Sequence, residues 1–96
     1  MDVISAKYDG SLNTTYTGTA GTVGPFPPCN AVWVYTTTDS FVKIGGGVTA
    51  TNNDFPMIAY VPVLFKVEPA NPFSVSAIQV ASGGSVFANP VNGATA

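Results

Sequence analysis

Apolar and polar residues alternate with a period of two along much of this chain, and no window repeats them at helical spacing. In Ala31–Thr38 (AVWVYTTT), Val32 and Val34 fall on one side of an extended backbone and Trp33 and Tyr35 on the other. Phe41–Ile44 is a short strand after an Asp39-Ser40 turn, and Gly45-Gly46-Gly47 ends it. Val48–Asp54 reads as a polar connection closed by Asn52-Asn53-Asp54. Pro56 and Pro62 interrupt Phe55–Tyr60 and Val61–Val67, so any pairing edge at those prolines turns to solvent, and Leu64–Val67 forms a strand. Ser74–Ala81 and Ser85–Ala88, joined by Ser82-Gly83-Gly84, predict a β-hairpin on a glycine turn. A further short strand is expected about Leu12–Thr17. The expected fold is all-β: a small antiparallel β-sandwich or jelly-roll-like barrel of about six to eight short strands, with little or no helix.

The residue inventory sharpens that picture. Val, Thr and Ile together supply 28 of 96 residues against two Leu, and β-branched side chains suit a pleated sheet better than a helix. A chain of 9.8 kDa is one small domain with a thin core. Three divisions are expected within 1–96: a loop or extended arm over 9–30, a sandwich core over 31–88 and a frayed tail over 89–96. The arm is rich in Thr and Gly and is ended by Pro25, Pro27 and Pro28. It reads either as a surface loop or as a segment that orders against a partner.

Charge and chemistry then narrow the function. Only 8% of residues are charged, the net charge is −2, and both His and Arg are absent. Three Lys cannot neutralise a phosphate backbone, so nucleic acid is not an expected partner. Every apolar run is broken well short of the ~18 residues a membrane helix needs, and Met1–Lys7 lacks the pattern of a signal peptide, so no membrane is expected. Without His no triad or neutral-pH general base is expected. Cys29 has neither His nor Arg to activate it and reads as an inert thiol. Asp2, Asp9, Asp39, Asp54 and Glu68 all stand beside turn residues, where a capping role accounts for them. We therefore expect no enzyme, no cofactor and no metal. What remains is a surface, because eleven aromatics are more than a thin core holds. Tyr16, Phe26, Trp33, Tyr35, Phe55, Met57 and Tyr60 are the candidate protein-interface residues.

One stretch resembles a known group. Val32–Asp39 followed by Phe41-Val42-Lys43-Ile44-Gly45, the Ala50-Thr51 linker and Val75–Phe87, with its Ala77-Ile78-Gln79 run, are similar to small tailed-bacteriophage virion proteins of the capsid decoration, or cement, kind. The likeness covers about Ala31–Ala88. Gly45-Gly46-Gly47 and the bulky Asp54-Phe55-Pro56-Met57 depart from the pattern. The resemblance implies a β-sandwich lying on the outer surface of the capsid and made in the bacterial host cytoplasm. It also implies self-association, as a homotrimer, and binding to the major capsid protein across adjacent capsomers so as to stabilise the shell. A phage tail or fibre component and a carbohydrate-binding β module are the alternatives, the latter using Trp33, Tyr35 and Tyr60 as stacking platforms.

Overall fold

A computed structural model describes residues 3–5, 13–27, 29–67 and 72–94. These form nine strands: β1 (Val3–Ser5), β2 (Asn13–Tyr16), β3 (Gly21–Phe26), β4 (Ala31–Thr36), β5 (Ser40–Gly45), β6 (Phe55–Met57), β7 (Val63–Lys66), β8 (Phe73–Gln79) and β9 (Gly84–Ala94). There is no helix among the described residues. All strand pairs are antiparallel. One sheet runs β7-β4-β9, with β2 and β1 both on the far edge of β9, and the other runs β3-β8-β5-β6.

The connectivity follows from a single long antiparallel ribbon. Strands β2 to β5 run out and β6 to β9 run back, so that β2 pairs β9, β3 pairs β8, β4 pairs β7 and β5 pairs β6. Folding that ribbon on itself adds the pairs β4–β9 and β5–β8 and splits it into two facing sheets. This is the strand order of a jelly roll, the solution that covers both faces of one core with eight short strands.

The alternation read from the sequence sets which side chains enter the core. On β4, Val32, Val34 and Thr36 are buried, while Ala31, Trp33 and Tyr35 face out. Val86 and Ala88 of β9 and Tyr16 of β2 complete that inner face. Val75 and Ala77 of β8, Val42 of β5, Val23 of β3 and Met57 of β6 meet them from the other sheet. Phe26 and Phe73 close one end with ring centroids 5.4 Å apart. Edge placement of prolines also follows expectation, since Pro25 lies in edge strand β3 and Pro56 in edge strand β6. Pro90 lies in β9 opposite Val32, between the stretches of β9 that pair with β2 and with β1.

Three expectations need correction. Residues 13–16 form β2, the short strand expected about Leu12–Thr17, but residues 21–26 are no arm: they are β3, in the opposite sheet, and residues 9–12 lie outside the described residues. Low charge and abundant Thr and Gly suggested a loop, but Tyr16, Val23 and Phe26 each reach the core, which outweighs the composition. The tail is a strand as far as Ala94, paired with β1 and β4. Finally, β8 and β9 do not form a hairpin. They belong to opposite sheets, and residues 80–83 carry the chain across, because each strand's apolar face covers a different side of the core.

Candidate interface on the outer face of the five-stranded sheet

The two outer faces of the sandwich are finished differently. On the four-stranded sheet, the β5–β6 connection folds over the outer face. There Ala50 is buried and its N–H donates to Ser76 Oγ at 2.9 Å, while Thr22 Oγ1 donates to the same oxygen at 3.0 Å. The connection is stapled by Asp54, whose Oδ2 accepts from Thr51 N at 2.7 Å and from Thr51 Oγ1 at 3.2 Å. Asp54 thus closes a turn onto Thr51, three residues back, in keeping with the turn role its Asn-rich neighbourhood implied.

No described segment covers the outer face of the five-stranded sheet. Register places Trp33 opposite Leu64 on one side and opposite Asn89 on the other, and Tyr35 opposite Phe87. Tyr35 is the hub, with its ring centroid 5.7 Å from Phe87 and 5.9 Å from Tyr60. Trp33, Tyr35, Phe87, Ala88 and Asn89 line a shallow groove of about 240 Å³. Among the described side chains that this sheet turns outward, Lys66 carries the only charge.

The turn between β6 and β7 borders this groove. Ile58 is 69% exposed and Tyr60 64%. Tyr60 holds φ at +63°, a left-handed conformation that costs a bulky residue about 1–3 kcal/mol. Three hydrogen bonds hold the turn in place. Tyr60 N donates to Thr36 O at 2.8 Å, Val61 N to Ile58 O at 3.3 Å, and Ala59 N to Asp39 Oδ1 at 2.9 Å. The apolar tip is therefore a fixed knob beside the groove.

The seven residues singled out from sequence divide. Trp33, Tyr35 and Tyr60 come together on this face. Phe55 does not: it is half exposed at the seam between the sheets, where its ring stands edge-on to Phe65 at 5.3 Å. Tyr16, Phe26 and Met57 are buried in the core and lie on no surface. Their polar or proline-rich neighbours made them look like loop residues, but Tyr16 falls on the inward side of β2's alternation, Phe26 is turned inward by the register break after Val23, and Met57 is buried at the end of β6. Conversely, Ile58, Val61, Leu64, Phe87 and Asn89 were missed. Phe87 and Leu64 alternate visibly with inward neighbours, but only strand pairing sets them beside Tyr35 and Trp33.

Other chemistry is sparse. Cys29 is buried, with Sγ donating to Ala31 O at 3.1 Å. Among the described residues, no group of three or more His, Cys, Asp or Glu side chains converges as a metal site would require. A cleft of about 340 Å³ between Ile44, Phe65, Val67 and Phe73 has Lys66 as its one charged wall residue among the described residues. Compared with family models, curated proteins and solved structures, the chain matches none of them.

Proposed function

We propose that this chain is a viral structural protein. It acts as a decoration or cement protein on the outer surface of a tailed-phage head, bridging adjacent capsomers and stabilising the shell. Its partners are the major capsid protein and further copies of itself, assembled as a homotrimer, and no catalytic step is assigned to it. The observation that carries this reading is the aromatic face of the five-stranded sheet, which no described segment covers and on which Lys66 is the only charge among the described outward side chains. Tyr, Trp and Phe without charges mark the centre of a protein contact. A rigid sandwich suits the task because a cement protein has only to hold surfaces in fixed relation. Many weak contacts then add through the effective concentration that neighbouring sites create. The jelly roll supports the reading only by analogy, since capsid and lectin domains both use it.

The ring geometry weighs against a carbohydrate platform. Sugar stacking favours aromatic faces presented flat and in line, whereas Tyr35 makes interplanar angles of 61° with Tyr60 and 56° with Phe87. The test is to mix the purified chain with phage heads encoded in the same genome, sediment them, and count the bound chains in an electron-microscopy reconstruction. Density repeated over the shell is the expected result. Attachment at a single vertex would identify a tail component instead, and heads sedimenting bare would overturn the assignment.

A further inference from the structure

Strands β7 and β6 end the two sheets on the same side of the sandwich, where the Phe65 and Phe55 rings meet. The outer edge of β7 has no partner among the described residues. Val67 N donates to Asn30 O at 3.2 Å, one step beyond the Ala31–Lys66 pair, and this bond fixes the phase of the β4–β7 ladder. Hydrogen-bonded pairs alternate in an antiparallel ladder, so Val63 and Phe65 direct their backbone groups to β4. Leu64 and Lys66 direct theirs outward, with N–H and C=O groups in register for one more strand. Beside this edge lies an apolar cavity. Strand β6 reaches only as far as Val42 on β5, and past its end the cleft of about 340 Å³ separates Phe65 and Val67 from Ile44. In a strand added to β7, the residue opposite Phe65 takes the same face of the sheet as Phe65, the inner one, beside that cleft.

We infer that the β7 edge accepts an extended segment of the major capsid protein as a further strand of the five-stranded sheet, with an apolar side chain of that segment filling the cleft. This rests on the cement reading, and the chain's own edges leave the shell as the source of the strand. Edge strand β3 carries Pro25 and a register slip, β6 carries Pro56, and the far edge of the five-stranded sheet is divided between β1 and β2. Among the described edges only a second β7 would match. Two β7 strands pair about a twofold axis, which builds a dimer and not the trimer proposed above. In strand addition the backbone bonds supply affinity and the pocket beside the edge supplies selectivity. The donor segment therefore has no proline at its bonded positions and an apolar residue opposite Phe65. It has no basic residue opposite Lys66, since like charges directly opposite repel.

The experiment sediments phage heads with wild type and with two variants at residue 64. Leu64→Pro removes an outward N–H and puts a ring in the path of a new strand, yet breaks no bond to β4, so its melting curve should match that of wild type. Its affinity for heads should fall more than about tenfold. Leu64→Ala keeps the N–H and shortens only a side chain on the aromatic face, and should weaken binding less than about threefold. Equal losses in the two variants, or full binding by Leu64→Pro, overturn the inference and leave the cement reading standing. Wild type failing to bind heads overturns both. Hydrogen exchange on wild type, read by fragmentation mass spectrometry, decides even where a variant fails to fold. The Leu64 and Lys66 amides should exchange at least about tenfold more slowly on heads than in the free chain, and unchanged rates overturn the inference. By light scattering, the free chain should have the same mass in wild type and Leu64→Pro. A smaller mass for the variant would give the edge to a second copy and overturn the inference.

Discussion

At the scale of single residues, hydroxyl groups decide more than charges do. Tyr16 is an example: its ring fills the core while its OH lies 3.0 Å from Thr38 O and 2.7 Å from Thr38 Oγ1. Thr38 Oγ1 in turn donates to Ser82 O at 3.0 Å, which ties the β4–β5 corner to the β8–β9 crossing. Tyr16→Phe leaves the packing intact and removes those bonds. We expect it to lose about 1–2 kcal/mol in urea unfolding, and a midpoint unchanged from wild type would show that the hydroxyl contributes nothing. Thr36 presents the opposite case. It is fully buried on β4 and its Oγ1 has no hydrogen-bond partner. Thr36→Val keeps the shape, removes the unsatisfied group, and should gain about 1 kcal/mol by the same measurement.

At the scale of elements, the edge strands show how a proline- and glycine-rich segment becomes part of a sheet. The register of β3 slips between Val23 and Phe26, and Gly24 within that irregularity has φ of +123°. A Cβ at Gly24 would stand 2.9 Å from Ser74 Oγ and 3.1 Å from Ser74 Cα. Strain and clash act together here, so Gly24→Ala is expected to cost at least about 2 kcal/mol and to lower the melting temperature accordingly. The bulge lets β3 keep Val23 and Phe26 both inward despite Pro25. Deletion of residues 9–30 is a stronger test. As an arm this segment would be dispensable, but it contains β2 and β3, one strand from each sheet. The truncated chain should lose its β-sheet circular dichroism and its cooperative melt; a folded truncation would contradict the pairing of β2 with β9 and of β3 with β8.

For the whole molecule, the important asymmetry lies between its two outer faces. One is sealed by Ala50 and the β5–β6 connection, and the other presents Trp33, Tyr35, Phe87 and the Tyr60 knob to whatever it meets. Because the described side chains of that face carry a single charge, Lys66, its contacts should be insensitive to ionic strength. Raising sodium chloride from about 0.05 to 0.5 M is expected to change the self-association constant less than about twofold, whereas an interface built on ion pairs would weaken steeply. A tenfold loss of affinity in salt would place the contact elsewhere.

Much of this architecture was legible in the chain itself. Period-two alternation and β-branched composition determined that the fold is all-β, and they put Val32 and Val34 on one face of β4 and Trp33 and Tyr35 on the other; packing decided that the valines face in. Proline chemistry marked Pro25 and Pro56 as edge positions, and turn chemistry gave Asp54 its role. These are local properties, written in the φ preferences and side-chain shapes of successive residues. The partners of each strand are not local. Ser74–Ala81 and Ser85–Ala88 look like a hairpin to any rule that sees only neighbours, yet the core is better covered when they lie in opposite sheets. Tyr16, Phe26 and Met57 were misplaced for the same reason, since they pair with Gly84, Phe73 and Ser40, none of them a sequence neighbour. Tertiary structure alone brought Phe87, Tyr60 and Asn89 beside Trp33 and Tyr35, because burial depends on what packs across the sandwich and not on adjacent residues.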